Sequence, residues 1–276
     1  PTPITLTAGG FVEKAGPTAG TDQFTDIDTI IAGSTNDDLI SGELPIANNA
    51  ALNADLTAET LIIDFVGLTG VDPISLNVQG FDNFIGTTNN DNFVGNSGDN
   101  SIRGTFGDDT ISGGSYGVDT LSYQGLNASV TLGSQGLIAK GVVDADGNGS
   151  LGTDQLVGLT TSPFTNTIDV IVGDSGFTNT IDGQLGVNPA AANGSFIVNL
   201  GAPENNLIVN VSTTDVGPFT FDLENFDDVV GTANDDIIVG NNNDNIFVGS
   251  GGSDTVDGGD GFDTLDYSDL DVGIAL

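Results

Sequence analysis

The chain has 276 residues, with 39 acidic side chains against 3 basic ones and a formal charge of −36. It contains no Cys, His, Met or Trp, which excludes disulfides, thiolate or histidine catalysis, and zinc sites built on sulfur and nitrogen ligands. Lys14, Arg103 and Lys140 are the only bases, so nucleic acid and anionic membrane are disfavoured as partners.

A chain this acidic would ordinarily be read as disordered. Ile, Leu, Val and Phe recur at regular spacing, however, and 41 glycines imply very frequent turns. Both observations fit a folded chain whose carboxylates are neutralised by cations. No apolar run of about 18 residues is present, so membrane insertion is not expected.

Taken in order, the chain reads as a tandem duplication, with units at 1–129 and 130–276. Ile4-Thr5-Leu6, Lys14 and Thr21-Asp22-Gln23-Phe24 return as Val130-Thr131-Leu132, Lys140 and Thr153-Asp154-Gln155-Leu156. A short turn-and-strand set around Gly33 follows, with Asp38 and Ile40 at its sixth and eighth positions. The stretches 47–59 and 189–201 read as loop or strand, whereas 61–66, 74–78 and 196–200 read as strands. From 59 to 114 every residue is displaced by 145 from its counterpart, Glu59 matching Glu204 and Gly114 matching Gly259. No linker rich in Pro or Ser separates the units, which predicts one continuous rod. Tyr267 through Leu276 repeats the pattern of Tyr123 through Leu132, as if a third unit were beginning.

Each unit carries a block of nonapeptides. In 86–122 they open at Gly86, Gly95, Gly104 and Gly113, the last with one inserted residue. In 231–266 they open at Gly231, Gly240, Gly249 and Gly258. Position six is Asp91, Asn100, Asp109 and Asp119 in the first block, and Asp236, Asn245, Asp254 and Asp263 in the second. Position eight is always apolar, for example Phe93, Ile238 and Phe247. Six residues rich in Gly, Asn and Asp turn the backbone, and the remaining three form a strand with its middle side chain inward.

This pattern resembles the glycine- and aspartate-rich repeats of RTX (repeats-in-toxin) proteins. The resemblance implies an all-β, right-handed parallel β-roll in which two repeats make one coil and Ca²⁺ sits between stacked loops. Asp91 would then pair with Asp109, Asn100 with Asp119, Asp236 with Asp254 and Asn245 with Asp263. Turn carbonyls would complete an oxygen-only shell, and Asn would give weaker sites than Asp. Asn234 and Asn243 depart from the family pattern, standing where it has glycine. Coils of 18 residues spaced about 4.8 Å apart would give a rod roughly 70 Å long.

A second motif, Asp144-Ala145-Asp146-Gly147-Asn148-Gly149 with Asp154 following, is similar to the first half of an EF-hand Ca²⁺ loop. Gln155 stands where that loop needs a bidentate Glu. The acids line repeating turns instead of converging on one cleft, so no catalysis is expected. Thr-x-Asn occurs only in isolated repeats, at Thr87 and Thr232, too short a rank for ice binding.

The resemblance points to a secreted or cell-surface protein folded by several Ca²⁺ ions. Expected roles are a surface-layer, matrix or sheath component, or an adhesin shaft. End-to-end self-association and a cell-surface or polysaccharide ligand are the expected partners. The alternative is a calcium-binding module of a larger exported enzyme or toxin.

Overall fold

The computed structural model describes residues 4–7, 11–14, 20–24, 26–33, 38–43, 50–67, 70–133, 135–141, 151–157, 168–185, 194–202, 207–210 and 219–270. Among these residues there are strands and no helix, arranged in two 13-stranded sheets. Thirteen rungs at about 4.8 Å give a length of roughly 60 Å. That is shorter than coils of constant length would give, because outside the nonapeptide blocks the chain spends on average more than nine residues on each strand and its connection.

In the nonapeptide blocks each three-residue strand pairs in parallel with the strand two repeats on. Asn92 faces Thr110 and Ser101 faces Thr120 in the first block; Ile237 faces Thr255 and Ile246 faces Thr264 in the second. Successive strands alternate between the two sheets, so two repeats complete one coil. A strand of three residues can send only its middle side chain inward. Phe93, Ile102, Ile111, Leu121, Ile238 and Phe247 occupy those positions, all in the core. Phe84 and Phe93 stack with ring centroids 4.8 Å apart.

Between the blocks, three-stranded antiparallel meanders replace single rungs. They are Ile4–Thr7 with Phe11–Lys14 and Gly20–Gln23, and Ala50–Asp55 with Thr60–Phe65 and Ile74–Gln79. The second unit repeats them as Val130–Gly133, Leu137–Lys140 and Thr153–Leu156, then Ser195–Asn199, Leu207–Asn210 and Phe219–Glu224. The segments 50–55 and 195–199 are thus strands, each the first of a meander. The roll is therefore mixed, parallel in its blocks and antiparallel where the meanders enter.

Both sheets run unbroken from one unit into the next. Thr110–Ser112 pairs with Thr153–Leu156, and Thr120–Ser122 pairs with Val170–Val172. Matching elements of the two units lie on opposite sheets: Asn92–Val94 and Ile237–Val239 differ in this way, as do the paired meanders. One unit therefore contains an odd number of half-coils, and its successor is turned over about the rod axis.

Candidate metal centre

Position six lies two residues before the inward position eight, so its side chain also points inward, at the junction of turn and strand. Asp91, Asn100, Asp109, Asp119, Asp236 and Asn245 are each at most 5% exposed. The structure brings together the pairs that the resemblance implies. Asp109 Oδ1 accepts the Asp91 N–H at 2.9 Å, and Asp119 Oδ1 accepts that of Asn100 at 2.8 Å. Asp254 does the same for Asp236 at 3.0 Å, and Asp263 for Asn245 at 3.1 Å.

Position five builds a second ladder, which the sequence reading missed. Asn90, Asp99, Asp235 and Asp244 accept N–H groups from Asp108, Val118, Ser253 and Phe262, one coil further on. Position six thus bonds backward along the rod and position five forward. Paired polar residues such as Asp235-Asp236 are the sequence signal for it.

The recurring Asn has a specific cause. Asp91 and Asp236 meet donors on the meander behind them, the N–H groups of Leu52 at 2.6 Å and Phe196 at 2.7 Å. Asn100 and Asn245 instead meet carbonyls just before the strands Asn83–Ile85 and Asp228–Val230, and their Nδ2 groups donate to Asp82 O at 2.9 Å and Asp227 O at 2.8 Å. A carboxylate has no proton to offer at that place. The first coil of each block is also tied down by Asn at position four. Asn89 donates to Ala50 O and Asn234 to Gly194 O, while the Asn243 amide reaches Asp227 Oδ1. None of these three adopts a positive φ, unlike Gly107, Gly117, Gly252 and Gly261 at the same position one coil later.

Comparison with protein families agrees with this geometry. The RTX calcium-binding nonapeptide repeat model matches four copies, over residues 85–115 and 230–265. The two blocks are RTX calcium-binding repeats. A search of curated proteins gives no match to the chain.

The RTX turns fit a hard cation. A Cβ on Gly107 would lie 2.4 Å from Asn89 O, and one on Gly252 would lie 2.5 Å from Asn234 O, so only glycine lets the loops stack this closely. The interval between loops is lined by carbonyl oxygens beside the position-six carboxylates, the donor set Ca²⁺ takes. Among the described residues no three acidic side chains converge on one point. Asp119, Asp254 and Asp263, with turn carbonyls, would therefore hold the ions. Bound calcium supplies the positive charge that buried carboxylates need. Burial raises the Asp91 carboxyl to about 6 and that of Asp119 to about 7. Asp109 is raised by burial and by the nearby Asp154, and Asp236 by burial.

At the junction of the two repeating units the cation is a side chain. Lys140 is fully buried, and its Nζ donates to Gly107 O at 2.7 Å, to Asp109 Oδ2 at 3.4 Å and to Asp154 Oδ1. Asp154 also accepts the Asp109 N–H and the Tyr123 hydroxyl, the latter at 2.6 Å. Asp154 thus continues the Asp91–Asp109 column and is paired with lysine. Asp144, Asp146 and Asn148 lie outside the described residues. Asp38 is buried, and its backbone carbonyl accepts the N–H groups of Asp82 and Asn83.

Two further ladder residues escaped the repeat pattern. Asp169 accepts the Asp119 N–H at 2.9 Å, and Asn179 accepts that of Val130 while donating to Asn225 O. Each directly precedes a three-residue strand, Val170–Val172 or Thr180–Asp182, which is the signal that could have found them.

Proposed function

We propose that this protein is a secreted, calcium-dependent structural or adhesive rod, acting as a surface-layer, matrix or sheath component or as an adhesin shaft, and that it is not an enzyme. The supporting observation is that both RTX blocks are built into one pair of sheets running the length of the molecule. Ion binding between their turns therefore governs the rigidity of the whole rod. A quasi-one-dimensional fold of this kind offers length and repetition as its function. RTX repeats are typical of secreted proteins, and a fold completed by external calcium suits export.

The test is a calcium titration followed by circular dichroism and size exclusion. Strand signal should rise and hydrodynamic radius fall between chelator and millimolar calcium. Identical spectra and radii in both conditions would overturn the reading.

A further inference from the structure

Lys140, Asp154 and Asp109 gather one amine and two carboxyls at the joint between the units. Their side chains are 0%, 0% and 6% exposed. Asp154 faces Ile138 across the antiparallel pair Leu137–Lys140 and Thr153–Leu156, and Lys140 lies two residues beyond Ile138 on the same face. A side chain as long as lysine spans that diagonal. Three acceptors surround its Nζ, one for each ammonium proton: Gly107 O, Asp109 Oδ2 and Asp154 Oδ1. A nitrogen bonded to a carboxylate oxygen stands within about 4 Å of the carboxyl carbon. The other Asp154 oxygen accepts the hydroxyl of Tyr123 at 2.6 Å, and Tyr123 is itself fully buried.

A charge pair needs less than this. Lys14 and Asp22 hold the same register, Val12 facing Asp22, and form a simple ion pair. There Lys14 bonds both carboxylate oxygens at 2.9 Å and the side chains are 38% and 63% exposed. Among the described residues no second carboxylate reaches that nitrogen. At the joint an amine, a carboxyl in contact with it, a second carboxyl on the same nitrogen and a hydroxyl donor on the far oxygen meet away from water.

We propose that Lys140 and Asp154 condense into an intramolecular isopeptide bond, with Asp109 as the catalytic proton carrier. Burial disfavours the charged pair. It therefore favours passage of a proton from Nζ to Asp154 Oδ1, which leaves a neutral amine beside a carboxylic acid. The nitrogen then attacks the Asp154 carboxyl carbon, already held at close range. The C–N bond forms, the C=O π bond opens, and Oδ2 takes the negative charge under the Tyr123 hydroxyl. Asp109 accepts a second proton from the nitrogen and gives it to Oδ1, whose bond to carbon breaks as water leaves. Two of the three ammonium protons depart in that water and one stays on the amide nitrogen. Asp109 ends as it began, and nothing is oxidised or reduced. The product ties two neighbouring strands at the boundary between units by a bond that neither chelation nor unfolding opens. The inference rests neither on the rod reading nor on calcium binding.

The scarcity of bases makes the test direct, because trypsin can cut only after Lys14, Arg103 and Lys140. The chain folded in millimolar calcium, then denatured and digested, should give 1–14, 15–103 and an uncut 104–276. That last piece should be lighter than its sequence by one water, with fragmentation placing the link between Lys140 and Asp154. K140R keeps the cation and should retain full mass and be cut after position 140. D109N keeps an oxygen toward Nζ, and should lower the cross-linked fraction at least tenfold with unchanged circular dichroism. The inference is overturned if the wild-type chain has its full mass and is cut after Lys140, whatever the variants do. It is equally overturned if K140R loses the same water, which places the dehydration elsewhere, as in an Asp-Gly imide. Folded D109N cross-linking as fully as the wild type would overturn the role of Asp109 and the proposal with it.

Discussion

The RTX stacks and the joint between the units solve the same electrostatic problem by different means. In both, position-six carboxylates stack one coil apart and accept the backbone N–H of a neighbouring rung. In both, glycine brings a turn carbonyl close to them. Within the blocks the compensating charge is a dissociable ion, whereas at the joint it is the tethered ammonium of Lys140. A lysine cannot leave, so the joint keeps its charge balance when calcium is scarce. The rod is thus expected to consist of segments whose stability follows calcium, linked by a segment whose stability does not.

Chelation is the strongest way to break that comparison. Each calcium site at about 100 times its Kd contributes roughly 2.7 kcal/mol, so several sites together rival the stability of a domain. Hydrogen exchange in chelator should show 86–122 and 231–266 losing protection first, with 130–140 and 151–157 losing it later. Equal loss everywhere would mean that the lysine joint has no independent stability.

Proton binding sharpens the same contrast. Without metal, Asp91 at about 6 and Asp119 at about 7 lie above the ordinary carboxylate value of 3.8. The folded chain then binds protons more tightly than the unfolded one, and stability falls as pH rises through those values. In chelator, urea midpoints should therefore decrease from about pH 4 to pH 8. In saturating calcium the slope should flatten or reverse, because the metal binds the deprotonated form.

Lys140→Met attacks the joint alone. It leaves Asp109 and Asp154 buried without their cation, at an expected cost of about 3–5 kcal/mol. Urea unfolding should show this loss near neutral pH and a smaller one in acid, where the carboxyls protonate. Lys14→Met, at the exposed counterpart, should cost under about 1 kcal/mol.

Much of this was legible in the sequence. Nine-residue spacing gives the three-residue strands and their inward residue, because a strand and a tight turn leave few alternatives at that length; the position-six pairs come from the resemblance to RTX repeats. The meanders were only partly legible. Strands such as Thr60–Phe65 show their apolar pattern, but nothing local says that Ala50–Asp55 pairs antiparallel with it instead of starting a new coil. The role of Lys140 was hidden for the same reason: it lies 31 residues from Asp109, and only the meander that returns the chain along the sheet brings them together. Asp169 escaped because its partner Asp119 is 50 residues away, across the boundary between units.

An effect smaller than that of Lys140→Met concerns Asn245, and it separates two accounts of why Asn recurs. If Asn is simply a weaker calcium ligand, Asn245→Asp should leave metal-free stability unchanged and add stability in calcium. The geometry argues otherwise. Asn245 Oδ1 accepts the Asn241 N–H at 3.1 Å, while Nδ2 donates to Asp227 O at 2.8 Å and faces Asn241 Oδ1 at 3.3 Å. An aspartate there sets a carboxylate oxygen against two other oxygens in a buried place, which costs about 1–3 kcal/mol. Asn245→Asp should therefore lower the urea midpoint in both chelator and calcium. Asp236→Asn should do so for the converse reason, since Asp236 accepts from Phe196, Thr232 N–H and the Thr232 hydroxyl, and an amide nitrogen cannot. A gain for Asn245→Asp in calcium alone would instead make position 245 an ion ligand, and the choice between Asp and Asn would then report charge instead of the rung behind it.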